Sequence, residues 1–279
     1  MNDTASITII ASKRCNNNCR ICARSHLHIE EAGLNKIEDQ LRSIRAANRT
    51  EVILTGGEVT LHKDIFEILE LAKSLGFSKI SVQTNGRLFA DKDFAKRAAA
   101  MGDFLDVFLS IHGHTAAIHE EITGVRGSFA ETLLGISHLV SLNVPVRTNT
   151  VICQPNYQYL EMIADFLIAE GVKNPQFGFI HPTGEALKNE ATMIPDIEVA
   201  APFIKKALSR NENGVTVLTE AVPFCLLDNQ FIYAAENISI SDYAKIKGKE
   251  CSDCLHYSAC PGIWKSYFSL RNFVFRPVK

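Results

Sequence analysis

The chain has 279 residues, 46% of them hydrophobic and 22% charged, with a formal net charge of -2. No apolar run approaches the roughly 20 residues needed to span a bilayer, so a membrane helix is excluded. Near-neutral charge gives no sign of the basic face that nucleic-acid binding requires. Residues 1–6 show no basic segment ahead of an apolar core, which makes the cytoplasm the expected compartment.

From about residue 7 to 182 the sequence alternates short β-rich apolar runs with amphipathic helical stretches, the pattern of a parallel α/β fold. Strands are predicted at 7–11, 52–55, 80–84, 105–110, 147–152 and 176–180. Several are apolar on both faces, as strands covered by helices should be. Between the second and third strands Ile65, Leu69 and Ala72 recur at helical spacing, and Gly76 stands where a left-handed cap would end the helix. After the fourth strand, Ser128 and Glu131 have the spacing of a capping box ahead of Leu133, Ile136 and Val140. The next helix runs through Leu160, Ile163 and Leu167 to Gly171.

Six β-α units in succession predict a partial (β/α)6 barrel, α/β in class, with its chemistry at the carboxyl ends of the strands. A further helix at 197–209 and a β-like run at 215–219 lead into a carboxyl-terminal part of weak periodicity. The expected domains are therefore 1–210, the barrel, and 211–279, a small metal-stapled extension.

Eight cysteines fall into two clusters, Cys15, Cys19 and Cys22, then Cys225, Cys251, Cys254 and Cys260, with Cys153 alone. Without export signals such clusters read as metal ligands before disulfides. The first cluster lies just past the first strand. Three thiolates within eight positions can wrap one iron–sulfur cubane, leaving one of its four irons open to a further ligand. A structural zinc site is the alternative.

Three more segments end successive strands: Thr55-Gly56-Gly57-Glu58, Gln83-Thr84-Asn85-Gly86 and Ser110-Ile111-His112-Gly113. Glycines let a ligand approach the backbone, and a carboxylate accepts hydrogen bonds from an ammonium group. The C-x3-C-x2-C spacing, with these segments in register, resembles the signature of the radical SAM superfamily over about residues 7–185. The resemblance implies that Cys15, Cys19 and Cys22 hold a [4Fe-4S] cluster that binds S-adenosyl-L-methionine. It implies cofactor contacts from Gly56, Gly57, Glu58, Thr84, Asn85 and Ser110, with Arg126 and Asn149 as weaker candidates, and gives Glu58 the amino group of the methionine moiety. Ile21 departs from the pattern, since an aromatic residue is commoner there.

Cys251, Cys254 and Cys260, with Cys225 as a fourth thiol, would close a second site completely. Their C-x2-C-x5-C arrangement resembles part of the auxiliary-cluster region of SPASM and Twitch radical SAM enzymes, which implies one auxiliary [4Fe-4S] cluster; zinc serves four cysteines equally well. His112, His114 and His181 are candidate pocket residues by position, while His26 and His28 are expected at the surface or behind the cluster. Cys153 is expected to be a buried small side chain.

The resemblance implies a low-potential electron donor such as flavodoxin or ferredoxin, reductive cleavage of S-adenosylmethionine, and hydrogen abstraction from substrate by a 5′-deoxyadenosyl radical. No protein acid or base is assigned. The SPASM-like cysteines favour peptide or protein modification, a small metabolite being the alternative. The first strand begins within ten residues of Met1, so a leader-binding domain is not expected ahead of it. A non-catalytic metal-binding module is the reading from another class.

Overall fold

Strand residues of one parity face the helices and are fully buried, and this parity builds the sheet. The computed structural model describes residues 7–26, 30–211, 214–234 and 244–279; His28 lies outside them. Among these, the strands are β1 (Ile7–Ser12), β2 (Glu51–Gly56), β3 (Lys79–Thr84), β4 (Leu105–Ser110), β5 (Val146–Ile152), β6 (Asn174–Phe179) and β7 (Leu218–Glu220). They form one parallel sheet in chain order, each strand beside the next. All six predicted strands are present. The run at 215–219 adds a seventh through its last residues, so the sheet continues across the division at residue 210.

The connecting helices are α1 (Leu34–Ala46), α2 (Ile65–Ser74), α3 (Lys92–Ala99), α4 (Ala116–Thr123), α5 (Ser128–Ser141) and α6 (Leu160–Ala169). Short helices α7 (Gly184–Lys188) and α8 (Glu190–Met193) precede α9 (Ile197–Leu208). Ile9, Leu54, Ile80, Val107, Leu109 and Ile152 turn toward the helices and are at most 1% exposed. The other parity carries Ser81 and Gln83, Asp106, Phe108 and Ser110, and Arg147 and Asn149, matched across the strands in register. This half-exposed, polar face fits the inside of a partial barrel.

Deep on that face, Arg147 Nη2 donates to Asp106 Oδ2 at 2.6 Å, its guanidinium lies 4.8 Å from the centre of the Phe108 ring, and Ser81 Oγ also donates to Asp106. Burial alone would raise the Asp106 pKa, but Arg147 and Ser81 hold it below the usual carboxylate range. The network ties β3, β4 and β5 together.

Gly76 and Gly171 close their helices with φ of 79° and 87°, as their positions predicted. The capping box is not formed. Gly127, not Ser128, precedes the first turn of α5, and its N–H donates to Glu120 Oε1 at 2.8 Å. Ser128 Oγ instead pairs with Thr123 Oγ1, and Glu131 takes a hydrogen bond from Arg87, because α4 already supplies a carboxylate to that helix start.

The carboxyl-terminal part docks against β6 and α9. Its two-stranded sheet, β8 (Lys245–Ile246) with β9 (Ile263–Trp264), leads into α10 (Lys265–Arg271). Trp264 Nε1 donates to Phe179 O at 2.8 Å, and the buried Tyr267 hydroxyl accepts from Ile197 N at 2.9 Å. Arg271 pairs with Glu190 and Arg276 with Glu198 across the same seam. Among the described residues, no helix is long and apolar enough to cross a membrane.

Candidate active site

The loop after β1 carries Cys15, Cys19 and Cys22 as free thiols, Cys15 exposed and the others half-buried. Three separate elements fix its course. At its stem, Gly57 N donates to Ser12 O and Glu58 N to Arg14 O, both at 2.7 Å. Neither glycine could carry a side chain here: a Cβ on Gly56 would lie 2.1 Å from Ser12 O, and one on Gly57 2.4 Å from Lys13 O. The two glycines thus let the cysteine loop itself approach, where the sequence pointed to a ligand. At its middle, Asn18 N and Arg20 N donate to Thr123 O and Ile122 O of α4.

The third clamp comes from the turn after β3. Asn85 Nδ2 donates to Asn16 Oδ1 at 2.6 Å, and Arg87 Nη1 donates to Asn17 Oδ1 at 2.9 Å and to Asn16 O. Arg87 is itself anchored by Glu131 at 2.5 Å. Sequence reading missed Arg87, Asn16 and Asn17. The signal was the asparagine run between the first two cysteines, since short amides bridge loops well.

Glu58 is wholly buried. Its Oε1 accepts from Thr60 N, Thr60 Oγ1 and Thr84 Oγ1, and its Oε2 accepts from Asn85 N at 2.6 Å. Thr84 therefore holds Glu58 from the helix-covered face, and Asn85 spends its side chain on the cysteine loop. Oε1 is saturated, while Oε2 retains a lone pair for one more donor such as an ammonium group. Ser110 and Asn149 stand side by side on the polar face, whereas Arg126 is exposed on the turn between α4 and α5. Arg24 adds a half-buried guanidinium whose Nη1 donates to Thr55 Oγ1 at 3.1 Å.

Burial raises the Cys15 pKa, opposed by the N–H that Asn17 donates to its sulfur. Cys19 is pushed up to about 12 by burial, then by the neighbouring Cys15 and Cys22 thiolates. Three thiols that repel one another once ionised are a donor set awaiting a cation, and a metal cluster would stabilise their charged forms. With a buried carboxylate beside them and an open polar face beyond, these residues fit a three-thiolate iron–sulfur cluster and a ligand bearing an amino group.

The histidines resolve differently. His112 is buried, its Nδ1 accepting from Val151 N at 3.3 Å, so it supports the β4–β5 loop instead of facing a pocket. His119 stacks on it at 5.9 Å between centroids and His114 packs on Tyr159. His26 is exposed. His181 is stacked on Trp264 at 4.3 Å, and burial drives its pKa down to about 4. Ile21 joins the core. Cys153 is fully buried, with its thiol pKa pushed far up by burial.

In the extension, Cys225, Cys251, Cys254 and Cys260 line one cavity of about 300 Å³, part of it open to solvent, with Phe224 and Phe275 among its walls. Cys225, from the loop after β7, thus lies on the same cavity as the late cysteines. Backbone N–H groups of Arg276 and Gly248 point at Cys225 and Cys251, and Gly262 N donates to Cys260 Sγ at 3.4 Å. Such donors favour thiolate ligands. Among the described residues no three ligand side chains converge tightly enough for a single ion; a cubane offers each thiolate its own iron and does not require that convergence.

The sequence profile of the Radical SAM superfamily matches residues 9–167, more than half of the chain. A probable GTP 3′,8-cyclase of Sulfurisphaera tokodaii is 29% identical over 181 residues, 61% of this chain and 54% of that protein. An AdoMet-dependent heme synthase of Methanosarcina barkeri is 27% identical over 187 residues, 66% of this chain and 53% of that protein. The chain thus spans about half the length of these curated relatives. Streptococcus suis SuiB bound to its precursor peptide SuiA shares the fold, with a TM-score of 0.64 at 19% identity over 86% of this chain and 53% of that one.

Proposed function

Because the chain belongs to the Radical SAM superfamily of enzymes, we propose that it modifies a peptide or protein by hydrogen abstraction, drawing electrons from a flavodoxin or ferredoxin. When bound, the superfamily's [4Fe-4S] cluster and S-adenosyl-L-methionine supply reductive cleavage to a 5′-deoxyadenosyl radical that takes a hydrogen atom from substrate. Cys15, Cys19 and Cys22 would ligate the cluster. Glu58 Oε2 would accept the cofactor's amino group, with Thr84 and Asn85 fixing the carboxylate, and Ser110 Oγ and Asn149 Nδ2 would face its polar atoms. Gly56 and Gly57 set the distance between the cysteine loop and that carboxylate. Cys225, Cys251, Cys254 and Cys260 would hold an auxiliary [4Fe-4S] cluster that staples the extension over the open side of the sheet.

The observation that carries this reading is the cysteine loop locked to the Glu58 turn beside a polar, half-open sheet face. The fold shared with a protein crystallised on a peptide supports a peptide substrate. The names of the curated relatives, a GTP cyclase and a heme synthase, favour the second reading, a small metabolite.

Anaerobic reconstitution tests the proposal. Brown protein with about two cubanes' worth of iron should release 5′-deoxyadenosine when given dithionite and S-adenosylmethionine, whereas a non-catalytic metal module would release none. Incubation with peptides encoded beside this gene, read by mass spectrometry, should then show a modified peptide; turnover only with a metabolite would overturn the peptide assignment.

A further inference from the structure

Away from the cysteine loop, the polar face ends at β7, where Glu220 forms a buried ion pair with a lysine of the extension. Glu220, on β7, aligns with Gly178 of β6, which aligns with Val151 of β5, and one step earlier Gln176 aligns with Asn149. These side chains therefore share the face that carries Ser110. Lys245 enters from β8 of the extension, its side chain 4% exposed, and its Nζ lies 3.8 Å from Glu220 Oε1. That separation is too long for a hydrogen bond. The ammonium also lies 5.0 Å from the centre of the Trp264 ring, the ring on which His181 stacks.

A buried ion pair is stable only when its geometry is good and the remaining protons and lone pairs are matched. Glu220 meets that condition, with Gln176 Nε2 donating to its Oε2 at 3.3 Å. Lys245 Nζ does not: among the described residues it makes no hydrogen bond. Two strands from Glu220 on the same face, Asn149 Oδ1 is a buried acceptor without a partner among the described residues. The ground between is kept clear by a glycine, because a Cβ on Gly178 would come within 3.3 Å of Asn149 Oδ1 and 3.4 Å of Glu220 Oε2.

We propose that Lys245, held beside Glu220, is an anion-recognition group that selects a carboxylate on the substrate, while Asn149 Oδ1 accepts a substrate N–H. This rests on the peptide-modifying reading. A carboxylate offers two oxygens to the unengaged ammonium protons, and an amide N–H completes the orphaned carbonyl of Asn149. Trp264 makes the subsite depend on the docked extension, since it contacts both Lys245 and His181.

The test uses reconstituted protein with S-adenosylmethionine and three probes: N-acetyl-glutamate N-methylamide, its glutamine counterpart, and glutarate, each titrated by saturation-transfer NMR. The glutamate probe should bind about tenfold or more tighter than the glutamine probe. Lys245→Met should abolish that preference and Lys245→Arg should restore most of it. Should Lys245→Met fail to fold, the Glu220→Gln/Lys245→Met double variant, which leaves no buried charge unpaired, must lose the preference instead. Equal binding of the two capped probes, binding of neither, or a preference that survives loss of Lys245 overturns the subsite. Glutarate binding as tightly as capped glutamate keeps the anion subsite and removes support for a peptide substrate. Release of 5′-deoxyadenosine by the wild-type protein, measured in the same samples, reads the superfamily chemistry separately.

Discussion

The backbone N–H of Glu58 donates to the carbonyl of Arg14 across 2.7 Å, so the strand that ends in the buried carboxylate also holds the stem of the cysteine loop. The cysteine loop and the buried carboxylate are thereby coupled mechanically. A change at one should be felt at the other.

Gly57→Ala tests that coupling. The added Cβ would meet two backbone carbonyls, Lys13 O at 2.4 Å and Arg14 O at 2.5 Å, which cannot rotate away. We expect a loss of about 1–3 kcal/mol from such overpacking, read as a lower unfolding temperature, with less iron retained after reconstitution. Gly33→Ala, where nothing lies within 4 Å, is the matched control and should leave both measurements unchanged.

The two cysteine sites should separate under mutation. Alanine at Cys15, Cys19 and Cys22 together should remove about half of the bound iron and all 5′-deoxyadenosine release. Alanine at Cys251 and Cys254 should also remove about half of the iron but leave the S-adenosylmethionine-binding cluster visible by electron paramagnetic resonance. Loss of both signals from either variant would contradict two independent clusters.

Arg87 is a positioning residue. It spans Asn16, Asn17 and Glu131, and so fixes the first half of the cysteine loop. Arg87→Met should cut 5′-deoxyadenosine release by about tenfold or more, since misplacing reacting groups by an ångström can cost about a hundredfold. Circular dichroism should be unchanged, the spectrum of the reduced cluster should shift, and Arg87→Lys should recover little, lacking the planar fork.

Stability should fall with mild acid through His112. Burial lowers its folded pKa to about 4, below the unfolded value of about 6.5. A depressed pKa means the unfolded chain binds the proton first, so the contribution is complete above about pH 6.5 and is lost as pH falls toward 4. The window corresponds to about 3 kcal/mol. His112→Gln, which can still accept from Val151 N, should lessen the fall of the denaturation midpoint across that range, the remainder belonging to His119 and His181, whose pKa values burial also lowers.

Trp264 is the sole tryptophan and is buried against His181 and Lys245. Its emission should be blue-shifted in the folded protein. Arg276→Ala combined with Arg271→Ala, which cuts the pairs to Glu198 and Glu190, should shift it toward the red before the barrel itself unfolds.

Much was legible along the chain because it is local. Strand alternation, the helix stops at Gly76 and Gly171, the C-x3-C-x2-C triplet and the Gly-Gly-Glu turn are set by backbone sterics and by short spacings of apolar and polar residues, which neighbouring residues alone decide. Six β-α units in order left little choice but a parallel sheet.

Tertiary structure decided what those residues touch. That Thr84 and Asn85 serve Glu58 and the loop, that Glu131 leaves its helix start for Arg87, that His112 turns inward, and that Lys245 meets Glu220 all depend on contacts across 25 to 69 positions. The physical reason is that a buried polar group must find a partner wherever folding brings one near, and sequence spacing carries no record of which strand will be adjacent. The cysteines announced that chemistry would happen here; only the packing of seven strands set the polar face on which a substrate would lie.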